Sequence, residues 1–322
     1  MGAHDLAATT PVGVRDYTPE HADAFYAFEG RIVRVFAAHG YRRVMTPAFE
    51  LARVFELGLD AAGSPRLLRF VDPQTGEVLA LRSDMTPQIA RMVAGPLAAH
   101  PLPLRLSYFG RVFRVREQQD FERREVAQAG VELIGPSDVQ ADVELLRVCD
   151  EALLAAGTEG RHCISLGHSG LVQRAIEATG LDDVQRTTLL RSLARKDKAG
   201  VASLGGTASA VVEALCGLHG PPDAVIARVR PLLGDHSDLA PGVARLEAVL
   251  AALPDDVRSR CLLDLGELLG FGYYTGVVFQ AWVPGVGRPV ASGGRYDRLI
   301  ARYGRDVPAA GFAIDEEALR GD

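Results

Sequence analysis

The sequence predicts an α+β fold in which one sheet draws strands from both halves of the chain and a helical stretch is inserted between them. Three observations carry this. Two long strand-like runs, Leu102–Arg116 and Arg123–Gly135, lie in the first half, and a third, Tyr273–Trp282, lies near the C-terminus and is rich in β-branched and aromatic residues. From about Ser169 to Val257 the chain is instead rich in Ala, Leu and Arg at helical spacing. Strand character then resumes at Cys261. A length of 322 residues suits about two structural units.

Taken in order, Pro11–Tyr17 reads as an extended leader. A helix follows Pro19, with Phe25, Phe28, Ile32, Val35 and Phe36 on one face and Gly40 as its stop. Tyr41–Glu50 reads as a strand interrupted by Pro47, which suits an edge. Leu67–Val71 and Glu77–Leu81 flank Asp72-Pro73-Gln74-Thr75-Gly76, the form of a hairpin. Thr86 as N-cap and Pro87 at the first helical position predict a helix running through Arg91, leaving Asp84 for another task. The two long strands enclose a polar loop, Glu117–Glu122. Ser137-Asp138-Val139-Gln140 forms a capping box for a helix ending at Gly157, and Cys163–Leu166 reads as a short strand. The helical stretch is broken at Gly200, Gly205-Gly206, Gly217–Pro222 and Pro241.

Leu268–Gly287 carries no formal charge, a length that invites a membrane-spanning reading. Its five glycines and Pro284 oppose such a helix, and Tyr273–Trp282 reads better as a buried strand ended by Pro284, Gly285 and Gly287. On that strand adjacent Tyr273 and Tyr274 would send their hydroxyls to opposite faces. Gly293-Gly294-Arg295-Tyr296-Asp297 then lets a ligand approach the backbone closely. Together they outline the floor of a small polar-ligand site.

Composition narrows the function classes. Apolar residues make up 48% and charged residues 24%, ordinary for a globular chain. The net charge is −6, Lys196 and Lys198 are the only lysines, and no basic tail advertises nucleic acid. Cys149, Cys163, Cys216 and Cys261 show no CxxC spacing, so free thiols are expected rather than a disulfide frame or zinc site. The N-terminus lacks a basic region followed by an apolar one, which predicts a cytoplasmic protein. Neither a phosphate loop nor a GxGxxG run nor a nucleophile elbow occurs, and no cofactor or metal is implied.

An amino acid with a nitrogenous ring needs acceptors for its ammonium, a donor–acceptor pair for its ring and cations or N–H groups for its carboxylate. Asp84, Thr86, Gln128 and Glu132 supply acceptors, and Tyr273 supplies a hydroxyl. Gln128 and Glu132 stand four apart in a strand and share a face. The plain alternative is a solvent-facing pair on a two-faced strand.

These segments also carry a resemblance. GYYTGVVFQ resembles the histidine-specific segment of histidyl-tRNA synthetases, and GGRYDRL with PAAGFAIDEEAL resembles their third class II motif. Leu81–Arg91 and Phe113–Gly135 match in the same order, so the likeness runs from about residue 10 to the end. It falls nearest to the synthetase-like paralogues that regulate ATP phosphoribosyltransferase. The resemblance implies the antiparallel sheet core of class II synthetases, flanked by helices, over residues 1–168 and 257–322, with a helical insertion at 169–256. It places the first helix and strand at a dimer interface. It assigns Asp84, Thr86 and Gln128 to a histidine ammonium, Glu132 and Tyr273 to the imidazole nitrogens, and Tyr274 beside them. Asp84 stands where the synthetases carry glutamate. Arg114 corresponds to the arginine that holds the α-phosphate of ATP, here a vestigial phosphate-binding residue.

The departures cluster on the nucleotide side. Arg116 replaces a glutamate that helps hold adenine, Leu269 replaces an arginine that acts on charge developing during adenylation, and Gly272 replaces an acidic residue. Ala318 replaces an arginine over the phosphates, and Asp315, Glu316 and Glu317 add negative charge nearby. With Asp322 as the last residue, no anticodon-binding domain is expected. The expectation is a non-catalytic L-histidine sensor, a homodimer within a larger hetero-oligomer. Its partner would be a short-form ATP phosphoribosyltransferase catalytic subunit, which it activates and subjects to feedback inhibition. Neither a membrane nor tRNA is an expected partner. The alternatives are a minimal histidine-activating ligase and a stand-alone histidine-binding protein.

Overall fold

The computed structural model describes residues 10–58, 67–115, 123–194, 197–203, 207–234, 236–267, 269 and 273–320. Arg116, the loop Glu117–Glu122, Gly205-Gly206 and Gly272, all invoked from the sequence, lie outside them.

The chain opens with α1 (Pro19–Ala38), whose buried face is Phe25, Phe28, Glu29, Ile32 and Phe36. Gly40, at φ +79, turns the chain after it, a conformation that glycine adopts without cost. The predicted strand around Pro47 is two strands in different sheets, β1 (Arg42–Arg43) and β2 (Phe49–Leu51). Then come α2 (Ala52–Gly58), the hairpin β3 (Arg69–Val71) and β4 (Val78–Leu81), and α3 (Thr86–Ala94). The long pair is β5 (Leu104–Phe113) and β6 (Glu125–Ile134), followed by α4 (Val139–Ala155) and β7 (Cys163–His168). Asp138, not Ser137, caps α4 by accepting from the Ala141 N–H at 2.9 Å. An aspartate one residue nearer the helix outcompetes the serine of the expected box.

The helical stretch comprises α5 (Ser169–Glu177), α6 (Asp183–Ala194), α7 (Lys198–Ala202), α8 (Thr207–Cys216), the short strand β8 (His219–Gly220), α9 (Pro222–Leu233), α10 (Ala240–Ala252) and α11 (Asp255–Arg258). The chain finishes with β9 (Cys261–Asp264), β10 (Val277–Trp282), β11 (Ala291–Arg295), β12 (Ala309–Asp315) and α12 (Glu316–Arg320).

One nine-stranded sheet has the order β1-β5-β6-β12-β11-β10-β7-β9-β8, and a small sheet has the order β2-β4-β3. The large sheet is mixed rather than wholly antiparallel. Its centre, β5 to β7 in that order, is antiparallel, whereas β1 runs parallel to β5 and β9 parallel to β7. Parallel neighbours need a long crossover, and the helical stretch is the crossover between β7 and β9. That connection explains why strand character disappears after Leu166 and resumes at Cys261.

Alternation along β6 sorts the two faces of the sheet. Ala129, Val131 and Leu133 join one apolar core that includes α1, α4 and the crossover helices. Val126 and Ile134 point the other way, into a second core with Tyr108 of β5, Met85, Ile89 and Tyr296. Gln128 and Glu132 share this second face.

Candidate functional site

On the second face the register places Glu132 beside Leu106 of β5 and Gly311 of β12, with Gly294 of β11 opposite Gly311. The next row brings Tyr108, Gly130, Ala313 and Ser292 together, and the row after it Gly110, Gln128 and Asp315. The floor is therefore built largely of small residues, for a steric reason. A Cβ on Gly311 would overlap Glu132 Oε2 and the Val131 carbonyl oxygen. One on Gly130 would overlap the Tyr108 phenol. One on Gly294 would lie 3.0 Å from Tyr274 Cδ1. The side chains that build the site lie over the sheet where β-carbons would otherwise stand.

Glu132 is 1% exposed. Thr86 Oγ1 donates to its Oε1 at 2.6 Å, and the Tyr296 hydroxyl donates to its Oε2. Burial pushes the carboxyl well above its ordinary range, the Thr86 hydrogen bond opposes that, and the negative charge of Asp84 adds to it. The helix cap expected of Thr86 is not formed. The Thr86 hydroxyl serves Glu132 rather than capping α3, and Asp84 Oδ1 accepts from the Thr86 N–H at 3.2 Å. An aspartate reaches the N–H two residues on without strain, which frees the threonine hydroxyl for the pocket.

Tyr273 and Tyr274 are not on a strand, since β10 begins at Val277. Thr275 donates its N–H to the Arg295 carbonyl at 2.7 Å, and the chain enters β10 only after Gly276. Their rings meet edge to face at 4.8 Å, and that of Tyr273 lies 5.3 Å from that of Tyr296. Both rings therefore pack on one side of the sheet, against the second core, instead of on opposite faces. Burial, reinforced by Asp84, raises both phenols, and burial reinforced by Glu132 raises Tyr108, so all three remain hydroxyl donors. Asp84, Thr86, Glu132, Tyr273 and Tyr274 thus form one group. Tyr296 completes it, although sequence reasoning counted it only among the polar residues after Gly294.

Gln128 lies two pleats along β6 from Glu132, about 13 Å between Cα atoms. It lines a cavity of about 300 Å³ with Arg114, Arg288, Ser292, Ala313 and Asp315 among the walls. Its buried Oε1 has no hydrogen-bond partner. Arg114 Nε donates to the Ser83 carbonyl at 3.3 Å. Of the three acidic residues expected to face a nucleotide, only Asp315 lines this cavity. Glu316 and Glu317 are buried, Glu317 pairing with Arg123 at 2.7 Å and accepting from Tyr17 at 2.8 Å. Among the described residues no cluster of His, Cys, Asp or Glu suits a metal ion, and no helix is long and apolar enough to cross a membrane.

The likeness to known proteins covers the same ground. A family model for histidyl-tRNA synthetase matches residues 13–319. An ATP phosphoribosyltransferase regulatory subunit of an Anaeromyxobacter species is 40% identical over 318 residues, spanning 97% of this chain and 92% of the relative. One from Geobacter metallireducens is 40% identical, spanning 98% of this chain and 73% of the relative. A Bacillus halodurans crystal structure described as an ATP phosphoribosyltransferase regulatory subunit/histidyl-tRNA synthetase superposes with TM-score 0.87 at 30% identity. It covers 97% of this chain and 82% of that one. A match that reaches from before α1 into α12 takes in the sheet, its glycine floor and the crossover alike, and the chain belongs to the histidyl-tRNA synthetase family, among the ATP phosphoribosyltransferase regulatory subunits.

Proposed function

We propose that the chain is a non-catalytic, L-histidine-binding regulatory subunit of a short-form ATP phosphoribosyltransferase, acting in the first step of histidine biosynthesis. It works in the cytoplasm as a homodimer within a hetero-oligomer, activating the catalytic subunit and making it sensitive to histidine. The observation that carries this reading is a contrast between the residues around Glu132 and the positions of the family's arginines. At the Glu132 end Thr86 and Tyr296 donate to the carboxylate, and Asp84, Tyr273 and Tyr274 gather beside it. Leu269 and Ala318 stand where the resemblance puts the family's arginines, and Ala318 is buried in the core on the opposite face of the sheet. One missing donor to developing charge is often worth roughly 2.7–4 kcal/mol of transition-state stabilisation. A carboxyl beside phenolic donors still matches a ring with two nitrogens. In the same reading, residues 1–168 and 257–322 form the synthetase-like unit and 169–256 the insertion.

A ligand regulates a partner only if it binds two states unequally, so the test must read assembly and inhibition separately. On mixing with the catalytic subunit, light scattering is expected to report a hetero-oligomer and product formation to rise, then fall as histidine is added. Glu132→Gln should keep assembly and activation while shifting histidine inhibition by about 10–150-fold. Failure to associate, or unchanged inhibition of the variant complex, rejects the assignment.

The solved histidine–tRNA ligase subunit of Alicyclobacillus acidocaldarius, with TM-score 0.81 at 30% identity, keeps a ligase reading open to test. The loss of arginines at Leu269 and Ala318 predicts no histidine-dependent exchange of pyrophosphate into ATP, even at high protein concentration. Robust exchange would instead favour the ligase.

A further inference from the structure

The cavity at the Gln128 end has a charge excess that the Glu132 end lacks. Its described walls bring two guanidinium groups, Arg114 and Arg288, against one carboxylate, Asp315. Arg288 Nη1 lies 3.4 Å from Asp315 Oδ2, while Asp315 Oδ1 accepts from the Ala318 N–H at 2.9 Å. Asp315 is thus anchored to the start of α12 and in turn steadies Arg288, whose planar fork has further N–H donors to offer. Arg114 uses Nε on a backbone carbonyl and presents its remaining nitrogens. One surplus positive charge suits a monoanion such as a carboxylate better than a polyphosphate, which would leave several negative charges unmatched beside Asp315. The orphaned Gln128 Oε1, in a side chain only 7% exposed, marks the same cavity as wanting a donor such as an ammonium.

Both ends lie on one face of one sheet. Between Glu132 and Gln128 the register sets Gly130, Ala313 and Ser292, and the Tyr108 phenol lies over Gly130 as the large side chain of that row. We propose that Arg288, with Arg114, clamps the α-carboxylate of an amino acid whose ring is held at Glu132. The cation lost at Leu269 is thereby resupplied from the segment that leads into β11. Arg288 is a specificity-determining residue: it separates a free amino acid from the same ring and amine without a carboxylate. This rests on the histidine-binding reading above.

The experiment compares L-histidine with L-histidinol, in which a hydroxymethyl group replaces the carboxylate, by titration calorimetry on wild type, Arg288→Gln and Arg288→Lys. Arg288→Gln is expected to weaken L-histidine by about 10–100-fold and to change histidinol by less than about twofold, so that the preference for the carboxylate collapses. Arg288→Lys, keeping charge without the fork, should recover part of the loss. Equal L-histidine affinity in wild type and Arg288→Gln overturns the clamp and leaves the histidine reading standing. Parallel losses for both ligands also overturn it, as a structural effect. Absence of L-histidine binding to wild type overturns both.

Discussion

Gly311→Ala is expected to abolish L-histidine binding, a loss of more than about 150-fold, and to cost about 1–3 kcal/mol of stability. The added methyl would occupy the position of Glu132 Oε2 and press on the Val131 carbonyl oxygen. The carboxylate can swing away, but then it abandons Thr86 and Tyr296. The carbonyl cannot move without parting β6 from β12. Gly287→Ala is the matched control, since a Cβ there meets nothing within 4 Å. Calorimetric titration of both variants reads the difference, and full histidine affinity in Gly311→Ala would remove the pocket from the Glu132 site.

Asp150→Ala is expected to destabilise the chain by about 3–5 kcal/mol, the scale for removing one partner of a buried ion pair. Asp150 on α4 is 1% exposed and accepts from Arg260 Nε and Nη2, both at 2.6 Å. His162 Nε2 lies 2.9 Å from the same carboxylate, and His162 Nδ1 lies 2.8 Å from Thr158 Oγ1. The variant leaves Arg260 and a buried His162 facing an apolar gap. Burial would raise the Asp150 carboxyl, but the hydrogen bonds from His162 and Arg260 hold it below its ordinary value. The group therefore contributes stability above the usual value of 3.8, and that contribution is lost as pH falls through the lower folded-state value. Urea unfolding near neutrality measures the effect, and a loss under about 1 kcal/mol would mean that the cluster is no more than a solvated pair.

Local features of the fold were legible where the signal is local. The apolar spacing of α1, the hairpin around Gly76 and the shared face of Gln128 and Glu132 are all present as expected. Long-range geometry was not. Nothing in the residues of β9 states that it runs parallel to β7, because direction is fixed by the crossover rather than by the strand. Placing Tyr273 and Tyr274 on a strand failed because Gly276 and the Thr275–Arg295 hydrogen bond delay β10. Tyr296 and Gly311 became site residues only through register, which sets them beside a glutamate far away in sequence. Thr86 shows the same limit: its position fits a cap, and only the neighbouring strand reveals what its hydroxyl serves.

The crossover between β7 and β9 also decides where the chain can be cut. Its helix α10 lies across β7 and β10, and Leu166, Val277 and Phe279 belong to the same apolar layer as Val243, Leu246 and Val249 of that helix. Excising residues 169–256 would leave the backs of the central strands wet. Each large apolar side chain so exposed forfeits about 1.5–3 kcal/mol, against about 5–15 kcal/mol that holds a typical domain folded. A segment that interrupts the sheet in chain order is thus a wall of the same building, and shortening the protein by deleting it would dissolve the surface on which the ligand floor is laid.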